Sequence, residues 1–201
     1  RKKANAILFS LFMVISMIGG SIAFGSSAAA TNSGVEVDSS TVETDLIVNT
    51  SDPTAYDSIQ PAVNNASDGD TVAVRPGTYN ESVVIKNNIT LVAPDGATFD
   101  GPESDTFGTA GIQIAPDTTA GPISPTISGL TIEGYDTGLI VGGSGDGDLV
   151  GDYEDEASGD WVVENVTIRN TGSEGIDTSN GVGDWQISDS RIEDTTDQGI
   201  Y

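Results

Sequence analysis

Across residues 69–101 short β-branched runs alternate with turn residues. Thr71–Val74, Val83–Ile85 and residues 89–92 are separated by Pro76-Gly77, Asn80 and Asn87-Asn88. Runs this short, spaced by roughly 6–12 residues and without helical periodicity between them, predict strands joined by tight turns. The same rhythm continues almost to Tyr201. Upstream, residues 45–48 read as an edge strand. Ile59, Ala62, Val63 and Ala66 fall at i, i+3, i+4 and i+7, one face of a short helix. Asp57 or Ser58 is placed to cap it, and Pro61 falls in a first turn, where N–H groups lack partners anyway. A helix with one narrow apolar face, set just before a strand array, predicts a lid over an open β edge.

Downstream the pattern repeats. Residues 159–171, Gly-Asp-Trp-Val-Val-Glu-Asn-Val-Thr-Ile-Arg-Asn-Thr, align with residues 183–195, Gly-Asp-Trp-Gln-Ile-Ser-Asp-Ser-Arg-Ile-Glu-Asp-Thr, at an offset of 24 that extends to Gly175-Ile176 against Gly199-Ile200. An earlier copy places Ile132 at 36 residues before Ile168, the difference being absorbed by an acidic insertion at residues 142–158. Gly111-Ile112 supplies a further Gly-Ile strand start. A fixed period of about two dozen residues predicts stacked units, each touching only its neighbours. The unit holds three short strands and no room for a helix, which predicts an all-β, right-handed parallel β-helix of roughly five rungs with a short N-terminal capping helix.

Composition narrows the chemistry. The chain has 201 residues, with neither cysteine nor histidine. Disulfide frameworks, Cys/His zinc sites and imidazole or thiolate catalysis are excluded. From residue 31 onward there are 31 acidic residues against four basic ones, Arg75, Lys86, Arg169 and Arg191, a net charge of −27. Such a surface repels nucleic acid and anionic headgroups. Disorder would predict few β-branched residues and no patterning, so the regular strand rhythm points instead to adaptation to high salt, where screening removes self-repulsion.

The first 30 residues differ. Arg1-Lys2-Lys3 precedes an apolar stretch at residues 6–24, followed by Gly25-Ser26-Ser27-Ala28-Ala29-Ala30. A basic start, an apolar middle and small residues at the exit read as a secretory signal cleaved after Ala30. The competing reading, a permanent membrane helix, is weakened by Gly19-Gly20-Ser21. Residues 11–24, Leu-Phe-Met-Val-Ile-Ser-Met-Ile-Gly-Gly-Ser-Ile-Ala-Phe, followed by Ser-Ser-Ala-Ala-Ala, resemble the leader of haloarchaeal surface glycoproteins. The resemblance implies an exported, cell-surface protein held at the membrane only through a C-terminal anchor outside this sequence. A chain lacking an initiator Met and stopping inside a strand pattern is expected to be a piece of a longer one, with domains at residues 1–30 (signal), 31–56 (linker and edge strand) and 57–201 (β-helix).

The cassette Ser58-Ile59-Gln60, Ala66, Gly69-Asp70-Thr71-Val72, Pro76-Gly77-Thr78-Tyr79-Asn80-Glu81, Val84-Ile85 and Ile89-Thr90-Leu91 resembles the entry coil of pectin-lyase-like right-handed β-helix proteins. That group includes copper-site accessory proteins of nitrous oxide reductase and carbohydrate-associated surface proteins. The matching residues are those that build coils, so the resemblance implies a fold and leaves activity open. Hydrolases of this fold use clustered Asp residues, for which Asp177, Asp184, Asp189, Asp194 and Asp197 are the candidates, and separation would set the stereochemistry. Lyases of the fold use a Ca²⁺-held carboxylate substrate and an Arg or Lys base. Arg169 and Arg191 lie 22 apart, two short of the repeat, so they form no simple ladder.

Three other groups invite a reading. Trp161 and Trp185 occupy the same place in successive units, either as a pair stacked along one face or as a glycan-binding platform. The loop Gly142-Gly143-Ser144-Gly145-Asp146-Gly147-Asp148 resembles a calcium nonapeptide, with the Asp one place early and a single copy; Asp146, Asp148 and Asp152 would be the ligands if calcium binds, and a solvated acidic loop is the competing reading. Asn49, Asn65, Asn80, Asn88 and Asn165 head glycosylation sequons, of which Asn88 and Asn165 sit at expected coil turns. Together these predict a structural or adhesive surface glycoprotein, with a polysaccharide or surface glycan as partner and a polysaccharide lyase or hydrolase as the rival. One consequence needs no structure. As NaCl is withdrawn from about 2 M to about 0.1 M, thermal unfolding followed by circular dichroism should move to lower temperature. A salt-independent Tm would count against halophilic adaptation.

Overall fold

The computed structural model describes residues 44–101, 109–116, 122–142, 159–178 and 183–201. The signal read in residues 1–30, the first part of the linker read in residues 31–56, and the acidic loop carrying Asp146, Asp148 and Asp152 lie outside the described residues.

The described chain is mostly β, in parallel sheets, with a short helix. In order come β1 (Leu46–Val48), α1 (Ile59–Asn65), β2 (Thr71–Val74), β3 (Thr78–Tyr79), β4 (Val83–Ile85), β5 (Thr90–Asp100) and β6 (Ala110–Ile114). They are followed by β7 (Thr126–Glu133), β8 (Thr137–Val141), β9 (Trp161–Glu164), β10 (Thr167–Thr171), β11 (Ile176–Asp177), β12 (Trp185–Ser188) and β13 (Arg191–Thr195). One sheet runs β1-β2-β5-β7-β10-β13, with β3 beside β5 and β9 between β7 and β12; the second runs β4-β6-β8-β11. The pairs are parallel throughout. The offset of 24 is physical register, with Thr167 opposite Arg191 and Trp161 opposite Trp185. The offset of 36 is too, with Ile132 opposite Ile168.

Two strands are longer than the sequence pattern suggests, β5 at 11 residues and β7 at 8. Each is two short strands run together. The first part of β5 pairs with β2 and the last with β3, and its register with β7 shifts between Val92 and Ala97. Gly96 and Gly129 supply the bend there, at φ of 82° and 76°, where a Cβ would be penalised. In later units the same corner is taken by Asn165 (φ 51°) and then Asp189 (φ 50°), the residue types that best tolerate the left-handed region after glycine.

Registered pairing lines up three interior columns. Val72, Leu91, Ile127, Val163 and Ile187 form the first, and Tyr79, Phe99, Ile132, Ile168 and Ile192 the second. Val83, Ile112, Leu139, Ile176 and Ile200 form the third. All but the last member of each column are buried. At roughly 1.5–3 kcal/mol for each side chain removed from water, these columns are the main favourable term. Glycine lets the faces meet at the corner. A Cβ on Gly138 would overlap Ile168 Cγ2 and sit 2.6 Å from the Gly175 carbonyl oxygen, and one on Gly175 would overlap Ile192 Cγ2 and sit 2.6 Å from the Gly199 oxygen.

The N-terminal end is closed by three devices. β1 covers the edge of β2, and Val48 is met in turn by a parallel bridge to Tyr56. Helix α1 buries Ile59, Ala62 and Val63, the face expected from the sequence, and packs on β4, β1 and β2. Gln60 completes the edge of β4. Its Nε2 donates to the Val84 carbonyl at 3.1 Å and its Oε1 accepts from the Val84 N–H at 2.6 Å, as a neighbouring peptide unit would. The expected helix cap differs. Ser58 holds the N-cap position in extended conformation without a side-chain cap hydrogen bond. The Glu81 carboxylate caps instead, accepting the Ile59 and Gln60 N–H groups at 2.7 and 3.0 Å. An anionic acceptor serves two orphan donors where a hydroxyl serves one. Gln60→Leu, which keeps the bulk and leaves the Val84 peptide unpaired, should therefore cost about 1–3 kcal/mol. Urea unfolding at constant salt measures this, and an unchanged midpoint would show that the side-chain pairing contributes nothing.

Candidate functional site

The tryptophans are brought together. Their ring centroids lie 5.8 Å apart with planes inclined by 14°, an offset stack set by the Trp161–Trp185 register. They are not equivalent. Trp161 shares the buried side of β9 with Val163 and is 2 % exposed, whereas Trp185 is 50 % exposed. The pair thus continues the interior rather than lining an outer face, and the available ring is the one at the last described strand set.

The candidate acids are scattered. Asp177 lies on β11 in the four-stranded sheet, and Asp184 precedes β12 in the other, its N–H donating to Asp160 Oδ1 at 3.2 Å. Asp189 and Asp194 hold left-handed corners, and the Asp197 N–H donates to the Ser173 carbonyl. Among the described residues no group of three or more acids is placed to hold a metal ion.

The arginines are engaged. Arg169 Nε donates to Glu133 Oε2 at 2.6 Å, and Arg191 Nη2 lies 2.5 Å from Glu193 Oε2. Arg191 stands opposite Thr167, two places from Arg169, as the 22-residue spacing requires. The hydrogen bond to Glu133, with its charge, raises the Arg169 pKa. A guanidinium held this way is a poorer proton acceptor still than a free one, which weakens its case as a lyase base.

The sequon asparagines fall in different settings. Asn49 Oδ1 accepts the Ser51 N–H in a local turn, and Asn88 Oδ1 accepts the Ser124 N–H, 36 residues on in the neighbouring strand set. Asn65 and Asn80 are exposed, with Nδ2 donating to the Pro61 and Asp100 carbonyls at 2.8 and 3.1 Å. Asn165 is exposed at its left-handed corner rather than turned inward.

A small cleft of about 160 Å³ is lined by Asn80, Glu81, Ser82, Asp100 and Tyr135. Ligand sites usually enclose about 300–1,000 Å³, and this cleft is a structural joint. Glu81 caps α1, and its backbone carbonyl accepts the Tyr135 hydroxyl at 2.7 Å across 54 residues of sequence. Sequence reasoning missed Tyr135 because no local pattern ties it to Glu81. Burial, with help from Asp100 and Glu81, pushes the Tyr135 phenol well above its ordinary pKa, and burial with Glu81 raises Tyr79.

Compared with protein-family models, curated proteins and solved structures, the chain has no significant match in any of the three.

The tyrosines give a pH prediction. A phenol with a raised folded-state pKa adds stability that is fully present below the unfolded pKa, about 10, and is lost as pH rises through the folded value. Stability should therefore fall above about pH 10. Tyr135→Phe should lessen that fall while costing about 1–2 kcal/mol at neutral pH, because the Glu81 carbonyl loses its donor. Urea titrations at about pH 7 and about pH 10.5 test both signs.

Proposed function

We propose that this chain is an exported, salt-adapted cell-surface glycoprotein whose right-handed parallel β-helix, of the pectin-lyase-like type, has a structural or adhesive role. What carries the reading is which residues repeat. From one strand set to the next the recurring positions are those that hold backbone to backbone: the three interior columns, the Gly-Ile corners and the left-handed corner residues. Outward positions do not recur as a reactive set. Thr98, Thr131 and Thr167 give way to Arg191, and the column of Asp100, Glu133, Arg169 and Glu193 is acidic except at Arg169. Residues spent on stacking make a rigid spacer or a broad contact surface, and a glycan would meet the outer faces or the Trp185 ring.

The leader supports export, and the sequons support a glycoprotein. The rival reading, a polysaccharide lyase or hydrolase, needs a constellation built from the acids or arginines above. A glycan array together with product assays on uronate polymers, both at molar salt, tests the choice. The expected result is no release of reducing ends or unsaturated products, with any glycan retention lost or kept according to whether Trp185→Ala removes the contacting ring. Product release would overturn the structural reading in favour of the enzyme.

A further inference from the structure

An Asn-x-Ser/Thr sequon is read as a unit, so a sugar is joined to a folded chain only where all three residues can be grasped. The five sequons differ in this respect, and their middle residues separate them. Ala66, Ile89 and Val166 are core side chains, each at most 4 % exposed. Val166 is also held on both sides, its N–H donating to Ser190 Oγ and its carbonyl accepting from the Arg191 N–H. Glu81, in the middle of the Asn80 sequon, caps α1 through its carboxylate and holds Tyr135 through its carbonyl. Drawing any of these four tripeptides out of the stack would uncover the core or release the lid. Thr50 is different. It is exposed, as is Ser51 after it, in the turn between β1 and α1.

The asparagine amides sort the same way. Nδ2, the atom that takes the sugar, carries two N–H groups. In Asn65 and Asn80 it already donates to the Pro61 and Asp100 carbonyls. Asn88 Oδ1 is tied to the Ser124 N–H of a neighbouring strand set. Asn165 is exposed, yet the buried Val166 fixes its tripeptide. At Asn49 the side-chain bond stays within the turn. Oδ1 accepts the Ser51 N–H at 3.0 Å, and the Asn49 carbonyl accepts the Asp52 N–H at 3.2 Å. The Asn49 N–H, donating to the Tyr56 carbonyl at 2.7 Å, anchors where that turn begins. A hydrogen bond at Oδ1 draws electron density from the amide nitrogen, which eases loss of an Nδ2 proton.

Resting on the glycoprotein reading above, we infer that Asn49 is the N-glycan acceptor of the folded chain and that the fold closes the other four sequons. The co-reactant is a glycosyl phosphate or diphosphate ester, brought by a separate transferase. Nδ2 bonds to the anomeric carbon as the bond from that carbon to the phosphate oxygen breaks. The phosphate leaves with the electron pair, and the Nδ2 proton passes to a base of the transferase. The glycan then stands on the turn after β1, at the end of the stack closed by α1.

Glycopeptide mapping of the protein purified at molar salt from the cells that make it measures the fraction occupied at each sequon. Asn49 should be occupied in more molecules than any other. Equal or higher occupancy at Asn65, Asn80, Asn88 or Asn165 would overturn the inference and leave the glycoprotein reading standing. Five bare asparagines would remove that reading itself. Ser51→Ala, produced in the same cells, should lower the intact mass by one glycan, whereas Ser51→Thr, which keeps the sequon, should retain it. An unchanged mass for Ser51→Ala would place the sugar elsewhere and overturn the assignment. Both variants should keep the Tm within about 2 °C of the parent, as befits an exposed turn. A fall as large as that of a core substitution would show that this turn is no freer than the other four, and would also count against it.

Discussion

The contact on which the other interactions depend is a backbone corner without a Cβ, lying against an isoleucine methyl of the next strand set. Parallel strands sit about 4.8 Å apart, so successive sets must follow each other at that spacing on every side. At the Gly111, Gly138 and Gly175 corners the two sheets converge, and a single methyl would force the sets apart. With the spacing held there, Ile112, Leu139 and Ile176 fall into register, and the column beneath Ile132 and Ile168 closes against them. The left-handed corners follow from the same constraint. The chain must turn sharply between two short strands in every set, and Gly129, Asn165 and Asp189 are successive ways of allowing it.

A stack of this kind is stable in its middle and exposed at its ends, where pairing stops. The N-terminal solution uses side chains in place of a strand. Gln60 offers Val84 one acceptor and one donor in peptide-like geometry, so a helix, which cannot extend a sheet, still completes one. Glu81 holds that helix in position, and Tyr135 holds Glu81 from two strand sets away, linking the lid to the body of the stack. Capping and core are therefore one hydrogen-bonded assembly. The polar residues around the small cleft are accounted for by that task.

The sequence revealed what is local and periodic. The bounds of β2 and β4 follow directly from β-branched runs ended by turn residues, and the 24- and 36-residue offsets became strand registers. It did not reveal pairings set by the fold. Ser58 or Asp57 is the sensible cap on local grounds, and nothing near α1 signals that Glu81, 22 residues downstream, provides it. The merging of two short strands into β5 was hidden because Pro94 to Gly96 reads as an interruption, whereas the structure bends through it. For the candidate site the limit was sharper. Trp161 and Trp185 each follow Gly-Asp and open the same strand of the repeat, yet one is buried and the other half-exposed. The difference lies in what is stacked above each, which no window of sequence around either residue contains. Asp189 and Asp194 likewise read as members of an acid cluster, and the structure assigns them to corners where the backbone needs a tolerant residue.

Charge is where stacking and function meet. In register along one outer face run Asp100, Glu133, Arg169 and Glu193, each about 4.8 Å from the next along the sheet. Without Arg169 this would be an unbroken line of carboxylates. With it, Glu133 gains a direct hydrogen bond, Glu193 gains a nearby cation, and the arginine's own pKa rises. Arg75 and Arg191 likewise lie beside Asp95 and Glu193. In a segment with so few cations, placing three of them against acids of the same or a neighbouring strand relieves the repulsion that stacking creates. Repulsion between the remaining acids is left to dissolved cations, which screen it more strongly as ionic strength rises. The same placement weighs on the enzymatic alternative. A lyase base must lose and regain a proton near the working pH, and both arginines offered for that role are paired with carboxylates, Arg169 with Glu133 across the sheet and Arg191 with Glu193 on its own strand.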